Sequence, residues 1–176
     1  MFKYTLLYII WGPVLFGLIY IEHISPLFFL NDLQTDLTTI LTAYGIEFFN
    51  LPIHMQERLV YFENGTVLMI HYTCNAMTPI LLYSAAVISY PTQIQSKIIW
   101  LIGGYFTLVI LNLVRLILVS YAVTLNPDNF ELTHDYLGRY GMGILTLSIF
   151  FIFTHFVTVI SRPTISGNNF LSSTPN

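Results

Sequence analysis

The chain has 176 residues, 55% hydrophobic and 9% charged, with a mean hydropathy of +0.70 and a formal net charge of −3. A soluble domain carries about 25% charged residues, so this composition excludes an ordinary water-soluble fold and reads as a one-domain integral membrane protein. The mild negative charge argues against nucleic acid as a partner, and the single cysteine, Cys74, excludes an intrachain disulfide.

Segments of about 20 apolar residues read as membrane helices, and four are expected. The first runs from Thr5 to Ile21. It follows Lys3 as a signal peptide's apolar core would, but Glu22-His23-Ile24-Ser25-Pro26 comes next, with no small-residue cleavage site, so it reads as a retained anchor. The region from His23 to Thr73 is a large external segment. Within it, Leu33, Leu37, Leu41, Tyr44 and Phe48 recur at helical spacing among Asp32, Gln34, Asp36 and Thr38. That pattern predicts an amphipathic helix, either lying on the outer membrane surface or packing on the rest of the protein. Asn64-Gly65, set between the runs Arg58–Glu63 and Thr66–Ile70, predicts a β-hairpin with a two-residue turn whose second strand leads to Cys74. The second span runs from Cys74 to Tyr90, the third from Ile98 to Val123 and the fourth from Tyr140 to Ile160. Residues 161–176, rich in Ser, Thr, Asn, Pro and Gly, read as a disordered tail. The fold expected is thus an all-α membrane domain over residues 1–160. It has about four transmembrane helices, an external amphipathic helix and a β-hairpin before the second span.

Basic residues in short loops set orientation. Lys3, Lys97 and Arg162 fall on one side of a four-span chain, while Arg58, Arg139 and nearly all the acidic residues fall on the other. Both termini are therefore expected in the cytoplasm, and Cys74 and His134 on the external face.

Cys74 lies in His71-Tyr72-Thr73-Cys74-Asn75-Ala76, where a polar segment gives way to the second apolar run. A helix starting near Cys74 would offer it free backbone N–H groups and a partial positive charge, which stabilise a thiolate. Alternatively Thr78 caps a helix that begins at Pro79, leaving Cys74 on the loop above. Either arrangement places the thiol near water; the ordinary alternative is a small buried hydrophobe. Arg115 stands inside the third span, nine positions from Thr124, or about 13 Å from the external end at 1.5 Å per residue. A charge at such depth costs roughly 2.5–3.5 kcal/mol on insertion scales, so it faces a polar cavity or a partner, or else snorkels to the outer headgroups. Asn112, three residues earlier, shares its helix face. His134 stands just outside the fourth span, and imidazole is the side chain that changes charge near neutral pH. His71 is three residues from Cys74; on a strand the two would face opposite ways, on a helix the same way. The strand reading favours His134 as the cysteine's partner. Gly138, Gly141 and Gly143 would let the fourth span pack closely on a neighbour. If Cys74, Arg115 and His134 converge, the chain carries a nucleophile, a fixed cation and a proton carrier, the equipment of cysteine acyl transfer.

The run Thr73-Cys74-Asn75, then Asn112-Leu113-Val114-Arg115, then His134 with Gly138 behind it, resembles the exosortase and archaeosortase family. Those are multi-pass membrane transpeptidases with Cys, Arg and His in this order at the outer ends of successive helices. Gly45 and the Asn64-Gly65 stretch fit as well, so the resemblance covers roughly Ala43 to Gly143. One position departs: Ala76 stands where the family generally has glycine. The resemblance implies an inner-membrane enzyme that cleaves the C-terminal sorting tail of secreted proteins at its external face. It implies Cys74 as nucleophile, His134 as general acid or base, Arg115 as oxyanion or thiolate clamp, and Asn112 as a supporting residue. It further implies transfer to an unknown amine acceptor, and no metal or organic cofactor. Two other classes remain open from the residues alone. One is a four-helix haem- or metal-binding redox protein, with His71 and His134 as an external pair and His155 at the other end. The other is a non-catalytic membrane assembly subunit.

Overall fold

Long apolar runs can satisfy their backbone polar groups only within their own segment when water is absent, and here they are helices. The computed structural model describes residues 2–51, 53–63, 65, 67–126, 128 and 133–160, with backbone alone at 2, 3, 68, 134, 135, 137, 139 and 158–160. The tail from 161 to 176 lies outside the described residues. Five α-helices form: α1 (Phe2–Ile19), α2 (Phe28–Phe48), α3 (Met77–Ser89), α4 (Ile94–Leu125) and α5 (Met142–Ile160). Three short strands lie between α2 and α3: β1 (Ile53–Gln56), β2 (Leu59–Phe62) and β3 (Val67–Met69). A 3-10 turn over Tyr72–Cys74 precedes α3, and a π-helical segment, His134–Gly141, runs straight into α5.

Among the described residues one helix, α4, is long and apolar enough to cross a membrane alone, and the apolar stretches of α1, α3 and α5 are shorter. The second span begins three residues later than expected. Its helix starts at Met77 rather than at Cys74 or Pro79, and Ala76, not Thr78, occupies the N-cap position.

Helix α3 is central, packed against α1, α4 and α5. One apolar cluster joins α3, α4 and α5: Ile80, Tyr83, Val87, Leu108, Val109, Met142, Phe153 and Val157, with Ala76 at its upper edge. Gly104 makes room for the Tyr83 ring, which any Cβ at that position would strike, and the Tyr83 hydroxyl donates to the Trp100 carbonyl at 3.0 Å. Lys97, in the first turn of α4, donates to the Ile88 carbonyl at the end of α3 and closes the short α3–α4 connection. Tyr4, Tyr90, Phe150, Phe153 and Trp100 form a linked aromatic cluster at this same end.

Helix α2 covers the residues where the amphipathic helix was expected. It packs on α4 and on the turn before α3, and it does so with its polar face. Asn31, Gln34, Thr35, Thr38, Thr39 and Thr42 are buried, while Leu33, Ile40, Tyr44 and Phe48 are exposed. Threonine makes this possible. Thr35, Thr39 and Thr42 each bond the carbonyl four residues earlier in α2, so their hydroxyls need no outside partner and their methyl groups meet the neighbour. Gln34 meets Tyr105, and Gly45 sits against the Ile117 side chain. α2 thus climbs α4 in the same direction.

The strands form an antiparallel sheet in the order β1-β2-β3. Strand β1 pairs with β2 across the turn at Glu57 and Arg58, with Gln56 opposite Leu59, and was not expected from the sequence. Strand β2 pairs with β3, Tyr61 opposite Val67. Of the Asn64-Gly65 pair only Gly65 is described; it has φ +83°, and its N–H donates to the Phe62 carbonyl. Val60, Phe62 and Ile70 turn inward onto Ile46, Leu116, Val119 and Val123, so the sheet covers the far end of α4. Outside, Arg58 bonds Asp36 at 2.6 Å and Asp32 at 3.2 Å and ties the sheet to α2.

Candidate active site

Cys74 closes the 3-10 turn, its N–H bonded to the His71 carbonyl at 2.8 Å. Strand β3 ends at Met69, so His71 does not belong to a strand. It caps the turn instead, in extended backbone three residues before Cys74. The reason for setting His71 aside is therefore gone. Its ring lies tilted by 45° against Tyr72, 3.8 Å between centroids. Cys74 is only 8% exposed, beside Ile46, Val60, Ile70 and Leu116, rather than open to water.

Asn112 and Arg115 are both buried on α4. The Asn112 side-chain amide donates to the Cys74 carbonyl at 2.9 Å and accepts from Arg115 Nη1 at 3.2 Å. One asparagine thus bridges the cysteine's backbone to the guanidinium. Arg115 is 9% exposed, and its Nε has no hydrogen-bond partner among the described residues. Guanidinium carries five donors, and this one has donors to spare.

Gly138 lies over the other side of Arg115. A Cβ there would stand 2.5 Å from Nη2 and 3.0 Å from Cζ, so the absence of a side chain sets where the guanidinium can rest. Nothing lies within 4 Å of a Cβ on Gly143, and one on Gly141 would meet the Tyr136 carbonyl at an ordinary 3.5 Å. Of the three glycines, Gly138 makes the close approach. It belongs to the π-helical segment, a form often found at functional sites. His134 begins that segment, four residues before Gly138; its side chain lies outside the described residues.

A cavity of about 810 Å³ opens beside these groups, with Thr73, Ala76, Asn112, Arg115 and Gly138 at one end and Tyr4 and Phe150 at the other. It falls in the size range of small-molecule and peptide-binding clefts, and its walls are mostly apolar. Thr73 and Ala76 line it on either side of Cys74. Arg115 is part of the cavity wall, whereas Cys74 is not and packs against Ile46, Val60, Ile70 and Leu116.

Three features of the site escaped sequence reasoning. Ala76 has φ +64° and ψ +10°, the left-handed region, where a Cβ costs roughly 1–2 kcal/mol. Glycine suits such a position, which accounts for the glycine that the resembled family generally has where Ala76 stands. Asn75 is wholly buried and bonded to α2. The contact of Gly138 with Arg115 joins residues 23 positions apart; glycine in an apolar helix signalled close packing but not its partner.

No curated protein and no solved structure matches the chain. The family model for transmembrane exosortase matches residues 1–154, nearly all of the described protein. The chain belongs to the transmembrane exosortase family, membrane cysteine transpeptidases that act on secreted proteins carrying C-terminal sorting signals.

Proposed function

We propose that this chain cleaves the C-terminal sorting tail of secreted proteins and transfers the trimmed protein to an amine acceptor, with Cys74 as nucleophile. The observation that carries the reading is the bridge from the Cys74 carbonyl through Asn112 to Arg115, whose buried Nε is left unpaired. In this reading the Cys74 thiolate attacks the scissile amide carbonyl, and Arg115 takes the negative charge of the tetrahedral intermediate with its spare donors. The C–N bond breaks, the departing tail amine takes a proton from His134, and a thioester remains on Cys74. An acceptor amine, deprotonated by the same imidazole, then displaces the thiol and forms the new amide.

Four spans, α1, α3, α4 and α5, would place both termini of the 1–160 domain and the tail in the cytoplasm and the site at the external face of the cell's inner membrane. Two rulers support this depth. Asn112 is 18 residues from the start of α4, or about 27 Å at 1.5 Å per residue, and Arg115 is about 32 Å. The hydrocarbon layer is about 30 Å thick, so α4, at about 48 Å, overshoots it and carries the sheet outside. Independently, α3 has 13 residues, about 20 Å, so it ends within the layer and leaves Cys74 on the loop above it, toward the outer boundary. Arg115 thus belongs at the outer boundary rather than mid-bilayer, where a guanidinium costs less.

The test is processing of a reporter fused to a sorting tail in cells that carry one variant at a time at matched levels. Cys74→Ala and His134→Ala should leave the tail uncleaved, and His71→Ala should cleave it. Normal trimming by Cys74→Ala overturns the reading. Loss in His71→Ala with activity in His134→Ala keeps the enzyme but moves the proton carrier to His71, the residue that caps the cysteine's 3-10 turn.

A further inference from the structure

The loop that carries Cys74 is gripped from two sides. On one side Asn112 of α4 holds the Cys74 carbonyl at 2.9 Å. On the other, α2 holds the next residue. The Met77 N–H donates to Asn75 Oδ1 at 2.8 Å, which fixes which end of that amide is oxygen. The two hydrogens on Nδ2 must then point at α2. There they meet the Asn31 carbonyl at 3.1 Å, Asn31 Oδ1 at 2.7 Å and Thr35 Oγ1 at 2.9 Å. Thr35 spends its own hydroxyl hydrogen on the Asn31 carbonyl, so its lone pairs are free to accept. Gln34 donates to the Asn75 backbone carbonyl at 3.3 Å and receives the Tyr105 hydroxyl at 2.7 Å, which orients that amide as well. Asn31, Thr35 and Asn75 are 0% exposed and Gln34 4%. Three acceptors face Nδ2, Asn31 Nδ2 beside them has no hydrogen-bond partner among the described residues, and the carboxylates Asp32 and Asp36 are turned to Arg58. Ala76 completes the loop in its left-handed conformation. A residue held at a sparsely populated φ,ψ persists only where its surroundings over-determine it, and this network does so.

We propose that Asn75, clamped by Asn31 and Thr35 with Gln34 and Tyr105 behind them, is the positioning residue of the nucleophile. Helix α2 acts as a jig that fixes the height and direction of Cys74 relative to Arg115. The proposal rests on the reading of Cys74 as the nucleophile and adds to it what aims the thiol.

The experiment uses the full chain in native membranes, with two readouts at matched protein level. The first is the rate at which a small maleimide alkylates Cys74, which needs no substrate. The second is the kcat and KM of sorting-tail cleavage. Asn75→Asp keeps the shape but sets an oxygen against three acceptors; Thr35→Val keeps the volume but removes one acceptor. Both should free the loop, so alkylation of the buried thiol should speed up on the order of tenfold, one decade in an opening equilibrium. Cleavage should lose about 10²-fold in kcat at unchanged KM, as expected for roughly 1 Å of misplacement. Thr35→Ser keeps the hydroxyl and should recover most of both values. Unchanged alkylation in Asn75→Asp and Thr35→Val overturns the proposal. So does faster alkylation with kcat intact, or a Thr35→Ser variant as poor as Thr35→Val. The nucleophile reading fails separately, through cleavage by Cys74→Ala, and the alkylation rates then judge the clamp alone.

Discussion

Around Cys74 the elements are held by directed hydrogen bonds; toward the α3–α4 connection they are held by volume. The upper region ties α2, the cysteine loop and α4 together through Asn31, Thr35, Asn75, Asn112 and Arg115, each with a named donor and acceptor. The lower region packs Ile80, Tyr83, Val87, Leu108, Phe153 and Val157 and involves few polar side chains. Hydrogen bonds between membrane helices are modest contributors to stability, averaging about 0.6 kcal/mol, but they fix direction as packing of methyl groups does not. The contrast separates two tasks: the lower bundle makes the protein fold, and the upper network decides where two or three atoms point. Substitutions in the two regions should therefore fail in different ways.

The largest effect is expected at Arg115. Arg115→Ala should lower the cleavage rate by about 10²–10³, the usual cost of losing a donor to an oxyanion, with insertion in the membrane unchanged. Arg115→Lys should do nearly as badly, since an ammonium lacks the planar fork that reaches Asn112 and a substrate oxygen together. Near-normal cleavage by the lysine variant, measured at equal protein level, would reduce Arg115 to an anchor and dissolve the distinction between the two regions at its most important residue.

Gly138 gives the next test. Gly138→Ala would drive a methyl group to 2.5 Å from Arg115 Nη2. The guanidinium must move and its bond to Asn112 must stretch, so a loss of roughly 10- to 10²-fold in rate is expected with little loss of stability. Gly103→Ala, in a place with nothing within 4 Å of the added Cβ, is the control and should cleave at the wild-type rate. Equal behaviour of the two alanine variants would show that the close approach at Gly138 has no bearing on rate.

The opposite signature is expected in the lower cluster. Leu108 is 0% exposed between α3 and α4, and Leu108→Ala should cost about 2–5 kcal/mol of stability through the cavity it leaves. Activity per folded molecule should stay within about twofold, because nothing directional is lost. A thermal shift in detergent together with cleavage normalised to folded protein measures both. A rate that falls while stability holds would blur the boundary drawn here.

The smallest effect is expected at Ala76. Ala76→Gly relieves a left-handed alanine, worth roughly 1–2 kcal/mol, but adds unfolded-state freedom of about 0.5–1 kcal/mol and removes a buried methyl. The net change in stability should stay within about 1 kcal/mol, and cleavage should hold or rise slightly. A clear loss of activity would mean that the methyl itself shapes the cavity wall.

Periodicity, hydropathy and residue type sufficed to place the protein in a membrane, to locate its apolar helices and to single out Cys74, Asn112 and Arg115, because desolvating a charge or leaving a thiol alone at a helix mouth is conspicuous in one dimension. They could not say which way α2 faces. An amphipathic pattern announces two faces and is silent on which one turns inward. The surroundings make that choice, and here the threonine hydroxyls, satisfied within their own helix, let the polar face pack while Leu33, Ile40, Tyr44 and Phe48 turn outward. Nor could they foresee the left-handed Ala76, the Asn75 amide pinned by Met77 and α2, or the glycine pressed on Arg115. Each of these joins residues far apart in the chain through hydrogen-bond direction or a few tenths of an ångström of clearance, and both quantities exist only once the helices have packed.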